Sequence, residues 1–117
     1  MGTSREPFHV SSSEFPGGVR LDVRGEIALA EATQFRAAIK EAQDRQPKKL
    51  VINLAGVGYM NTPGLAALVE ALQVSRKTNR ALALTGLSEK VRAVFEMARL
   101  TKVFSIYPSA AEAEQAS

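Results

Sequence analysis

The chain contains no cysteine, which removes disulfide frameworks and thiol chemistry at once and suits a reducing compartment. It has one histidine, His9, with no second histidine or cysteine to complete a metal site, so His9 is read as an ordinary strand residue. No stretch approaches the roughly 20 apolar residues of a membrane span. The opening Met1–Val10 segment lacks the apolar core of a signal peptide, and the cytosol is the expected compartment. Met1-Gly2 begins a myristoylation pattern, but Glu6 stands where that pattern needs Ser or Thr.

A concentrated charge of one sign is also missing. Fifteen basic against 12 acidic residues leave a net charge of +3, and the basic residues scatter. Lys48-Lys49, Arg76-Lys77, Arg80, Arg92 and Arg99 are not interleaved with aromatics as a nucleic-acid surface requires. They read as solvated charge, some of it placed where helix C-termini favour cations. Gly56-x-Gly58 meets Asn61 where a dinucleotide turn needs its third glycine, and no Lys-Ser/Thr pair follows Gly64. Asp22, Glu26 and Glu31 form no evident acid–base pair. No cofactor, no metal and no catalysis are expected.

What is present is an ordinary soluble composition, 45% hydrophobic and 23% charged over 117 residues, enough for one domain with a sizeable core. Phe8-His9-Val10 reads as a strand. Val19, Leu21 and Val23 alternate with Arg20, Asp22 and Arg24 as a half-buried second strand. Phe15-Pro16-Gly17-Gly18 between them has turn chemistry and predicts a hairpin; Ser11-Ser12-Ser13 falls in its first arm or in a loop. Leu29, Ala32, Phe35, Ile39 and Ala42 then recur at helical spacing, and Gln46-Pro47 ends that helix. Leu50–Leu54 is an apolar run suited to a strand covered on both faces, followed by a loop with Gly56 and Gly58. Leu65, Leu68, Val69 and Leu72 mark a second helix running toward Thr78. Ala81–Thr85 is the next strand. Ser88 caps a helix with inner face Val91, Phe95 and Ala98. Val103–Tyr107 is the last strand, and the Ala/Glu-rich tail after Pro108 forms a short helix.

The order predicts one α/β domain over 1–117, with its core at 8–113 and short tails. A mixed, mostly parallel sheet with an N-terminal hairpin packs against about four helices. The segment Gly58-Tyr59-Met60-Asn61-Thr62-Pro63-Gly64 joins a buried strand to an amphipathic helix. With Pro63 at the first helical position, Thr62 is the expected N-cap, its hydroxyl close to the positive end of the helix dipole. A phosphate there would be stabilised locally and would add nearly two negative charges to its surroundings.

The runs Lys49–Val57 and Met60–Leu65 resemble the signature region of STAS domains, the family named for sulfate transporters and anti-sigma factor antagonists. Gly86–Arg92 with Phe95-Glu96 and Leu100, then Lys102–Tyr107, and Arg24-Gly25-Glu26-Ile27 resemble the family too, over Phe8 to Ala113. The resemblance implies a cytoplasmic protein that binds an anti-sigma factor, often a serine kinase of the histidine-kinase-type ATPase fold, and so releases a sigma factor. It implies a phosphoacceptor at Thr62 and a partner-binding surface of Met60, Asn61, Thr62, Pro63, Gly64, Glu26 and Ala28. Three positions depart from the family pattern. Asn61 replaces a carboxylate, Pro63 a hydroxyl residue, and Ala28 a second acid. Two other readings are a STAS scaffold that docks without phosphorylation and a STAS subunit of an ABC transporter moving lipids or anions. The oligomeric state is left between a monomer and a weak dimer.

Overall fold

The computed structural model describes residues 7–116; Met1, Gly2 and Glu6, which bear on myristoylation, lie outside them. Strand β1 (His9–Phe15) turns through Pro16-Gly17 into β2 (Gly18–Ile27), and the two pair antiparallel over seven residues without a shift. Helix α1 (Leu29–Asp44), β3 (Lys49–Met60), α2 (Thr62–Thr78), β4 (Ala81–Thr85), α3 (Glu89–Met97), β5 (Ser105–Tyr107) and α4 (Ala110–Gln115) follow.

The sheet order is β1-β2-β3-β4-β5, and β2 through β5 are parallel. Each crossover advances by one strand in the same direction. Right-handed connections of that kind place their helices on one side of a sheet. Accordingly α1, α2 and α3 share a core with Leu21, Val23, Leu50, Ile52, Leu54 and Leu84. Phe35 and Phe95 are its largest fully buried side chains. Phe95 meets Phe104 edge-to-face at 5.5 Å, which ties the segment after α3 to the core. Alternate strand residues face the other side, where Val51 and Ala83 pack with Ala113 of α4, flanked by Phe15 and Tyr107. Lys49 Nζ donates to the Ala113 and Ala116 carbonyls at the end of α4. Arg20 pairs with Glu114 at 2.8 Å and with Asp22 at 3.1 Å. Burial lowers the Arg20 pKa, but the two carboxylates outweigh it and hold the guanidinium above its ordinary value.

Several expected details differ. Strand β3 does not stop at Leu54 but continues to Met60. Its register against β2 slips twice, between Asp22 and Arg24 and between Arg24 and Glu26, so the extra residues are absorbed as bulges instead of a loop. Gly56 makes the first slip possible, because a Cβ there would lie 2.6 Å from Arg24 Cγ. Leu29, expected on the inner face of α1, is 74% exposed, since the first turn of that helix rises past the end of the sheet. Ala98 is the C-cap of α3 and exposed, bordering an open depression beside Tyr59 and Thr62 instead of the core. Strand β5 keeps only Ser105–Tyr107, while Val103 and Phe104 lie in the preceding turn. Val69 and Leu72 are half-buried, and the small residues Gly64, Ala67 and Ala71 occupy the buried face of α2 beside Leu65 and Leu68.

Candidate functional site

The ends of β2 and β3 and the starts of α1 and α2 converge at the carboxyl edge of the sheet. Glu26 is paired with Tyr59 and Ile27 with Met60. The Asn61 N–H then donates to the Ile27 carbonyl at 2.9 Å, the last link between the two strands before both chains turn into helices. Ile27 and Met60 are buried, at 0% and 1% exposure, and they form a floor under the first turn of α2. Gly64 sits on that floor. A Cβ there would lie 2.8 Å from Ile27 Cγ2 and 2.9 Å from Met60 Cγ, so the helix comes this close only because position 64 has no side chain.

Thr62 is not the N-cap. Asn61 takes that role, with extended backbone (φ −88°, ψ 178°) and its Oδ1 accepting the Gly64 N–H at 3.0 Å. Thr62 and Pro63 are the first two helical residues and both are exposed. Asn and Thr both cap well, and the strand link at the Asn61 N–H decides between them by holding Asn61 extended. The cap interaction is therefore made without the Thr62 hydroxyl, which stands at the solvent face of a helix start where N–H groups converge.

The structure brings the expected site residues to one edge of the molecule in unequal roles. Asn61, Glu26 and Ala28 are half-buried, Thr62 and Pro63 exposed, and Met60 and Gly64 buried. Met60 points inward from β3 and lies at the base of the surface, while Tyr59 beside it points out. Ala28 is the N-cap of α1 without a side-chain acceptor, and Glu31 Oε1 braces that helix by accepting the Ala28 N–H at 3.2 Å.

Beside these candidate residues the structure places others that the sequence reading did not assign to the site. An open depression of about 480 Å³ lies between the start of α2 and the end of α3, lined by Tyr59, Asn61, Thr62, Val94, Met97 and Ala98 among others. Met97 is 87% exposed and Tyr59 45%. With Leu29 at the start of α1, these are three of the large apolar side chains that the fold leaves in water, and they sit at the same end as Thr62. Tyr59 and Met97 line the same depression, and exposed apolar side chains brought together in this way suit an interaction site. Met97 could have been noticed as an apolar residue out of phase with the Val91/Phe95 face of α3. Among the described residues no three His, Cys, Asp or Glu side chains gather into a metal-binding group, and no helix is long and apolar enough to cross a membrane.

The family model for the STAS domain matches residues 11–113, and the chain belongs to that family. The anti-sigma-B factor antagonist of Listeria monocytogenes is 32% identical over 84 residues, covering 72% of this chain and 74% of that protein. The crystal structure of an anti-sigma factor antagonist from Mycobacterium paratuberculosis superposes with a TM-score of 0.83 at 23% identity, over 92% of this chain and 91% of that one. The Bacillus cell fate determinant SpoIIAA in its phosphorylated form gives a TM-score of 0.69 at 18% identity, over 92% and 96% of the two chains. The two structural matches establish a shared fold.

Proposed function

We propose that this protein is an anti-sigma factor antagonist, a cytoplasmic docking protein and not an enzyme, whose binding surface is the carboxyl edge of the sheet around Thr62. Binding would draw an anti-sigma factor away from its sigma factor. The observation that carries the reading is the pairing of an exposed Thr62, not used as a cap, with the exposed apolar side chains of Tyr59 and Met97. Apolar contacts supply docking energy, and a hydroxyl in their midst supplies a place to cancel it.

Phosphorylation of Thr62 by a partner serine kinase of the histidine-kinase-type ATPase fold is the regulatory half of the proposal. A phosphoryl group would place nearly two negative charges beside the apolar depression and repel a partner arranged around a neutral surface. Thr62 is exposed and Asn61 makes the cap bond, so the Thr62 hydroxyl is not engaged in capping the helix. The named relatives support this reading over a transporter subunit.

The test is binding of the purified chain to its cognate anti-sigma factor by calorimetry, with ATP added where that factor is a kinase. We expect binding by the native chain, loss of at least tenfold affinity in Thr62→Glu, and phosphate mapped to Thr62 by mass spectrometry. Full binding by Thr62→Glu would refute the placement of the surface. Docking with Thr62 unmodified would leave a constitutive scaffold, and recovery of an ABC ATPase in place of an anti-sigma factor would refute the function.

A further inference from the structure

Strand β1 closes one end of the sheet, and among the described residues no strand pairs with its outer side. Open edges of this kind template pairing with another chain, and proteins usually blunt them with proline, lysine, bulges or short length. The segment His9–Phe15 has none of these and carries one acidic residue, Glu14: it is seven residues long, contains neither proline nor lysine, and keeps unbroken register with β2. Ser11, Ser12 and Ser13 at its middle are small and exposed, so a second backbone can approach. At the opposite end of the sheet β5 has only three residues and is protected by its shortness.

We propose that β1 is a self-pairing edge through which two copies of this chain join, antiparallel about a two-fold axis at Ser12, merging their sheets into one. A two-fold contact must be self-complementary, since each residue meets its own counterpart in reverse order. Ser12 is the midpoint of the strand, so this register pairs all seven residues. It sets Ser11 opposite the second copy's Ser13, Val10 opposite Glu14 and His9 opposite Phe15. No like charges stand directly opposite one another.

On the side of the sheet that carries α1, Arg45 Nη2 donates to Ser12 Oγ at 2.7 Å. Glu14 of the second copy falls one diagonal step from Ser12 on that same face, within reach of the guanidinium. The symmetry makes two such ion pairs. Antiparallel pairing also reverses β2 and β3 between the copies. The two Thr62 edges then point in opposite directions, both uncovered, and the dimer is a bivalent docking unit.

Sedimentation equilibrium of the full chain alone, from about 5 μM to about 1 mM, reads the contact across the range where weak complexes populate. The average mass is expected to rise from that of one chain toward that of two. Ser12→Lys sets a cation opposite its own copy and beside Arg45 and is expected to weaken the dimer at least roughly tenfold, whereas Ser12→Thr preserves it. Glu14→Arg is expected to weaken it as well, and adding Arg45→Glu to restore it. Unchanged urea midpoints at low protein concentration show that the variants fold. A native chain that stays monomeric throughout overturns the proposal, and so does a dimer indifferent to Ser12→Lys. No anti-sigma factor enters the assay, so the result stands apart from the function proposed above.

Discussion

Replacing Asn61 and Thr62 by alanine, one at a time, asks which of them starts α2. Asn61 Oδ1 accepts the Gly64 N–H at 3.0 Å, and Gly64 is buried against Ile27 and Met60. Asn61→Ala leaves that N–H without its side-chain acceptor where water reaches it poorly. Loss of an N-cap side chain costs about 1 kcal/mol, within a range of roughly 0.5–2, and the buried location favours the upper half. For a chain of this length each kcal/mol lowers Tm by about 4 °C, so the expected fall is about 5–8 °C. Thr62 is exposed and makes no cap bond, so Thr62→Ala is expected to stay within about 0.5 kcal/mol of the native protein. Asn61→Asp keeps an acceptor in place and adds a charge favourable to a helix start, so it should match or exceed native stability by a few tenths of a kcal/mol at low salt. Urea unfolding at constant m-value, followed by circular dichroism, gives all three differences. If Thr62→Ala proves costly and Asn61→Ala neutral, the cap assignment is wrong, and with it the argument that the Thr62 hydroxyl is available to a kinase.

Gly64→Val forces side-chain atoms into the space held by Ile27 and Met60 and should destabilise the protein by about 1–3 kcal/mol; an unchanged urea midpoint would mean that the first turn of α2 can lift off its floor. Phe95→Ala removes a fully buried ring and its contact with Phe104, for an expected loss of about 3–5 kcal/mol by the same measurement. Lys49→Met withdraws the donor from the Ala113 and Ala116 carbonyls. Amide exchange by NMR should quicken in α4 while the amides of β3 and β4 keep their protection; uniform quickening would show that α4 unfolds only with the whole domain. Met97→Ser and Tyr59→Ser remove exposed apolar side chains, so each should lower affinity for the anti-sigma factor with stability held within about 0.5 kcal/mol. Equal losses of stability and binding would show that these residues pack and do not dock.

Much of this architecture is legible because its signals are local. Val19, Leu21 and Val23 announce a strand face by alternation, and the structure buries all three. Ser88 caps α3 as expected, accepting the Val91 N–H at 3.2 Å, because the acceptor and the N–H it serves lie three residues apart in the chain. The reading fails where a distant element casts the deciding vote. Gly56 and Gly58 look like loop residues, yet β2 pairs with Gly56 and then, past a bulge that holds Gly58, with Tyr59. Leu29 fits the helical period, which carries no information about where the sheet beneath it ends. The choice between Asn61 and Thr62 as cap turns on one hydrogen bond to Ile27, a residue on another strand.

The sequence by itself determined a single α/β domain and the order of its elements, and it singled out residues 58–64 as a candidate site, since periodicity, turn chemistry and helix-start residues act over a few positions. Only the tertiary structure decided which side chains that neighbourhood shows to a partner. Right-handed crossovers carry the end of α3 beside the start of α2, so Met97 meets Tyr59 and Thr62 across a gap of 35 residues or more. The same packing turns Met60 inward and leaves the Thr62 hydroxyl outside the cap. Local pattern fixes what an element is, but exposure depends on what else the chain brings to lie against it.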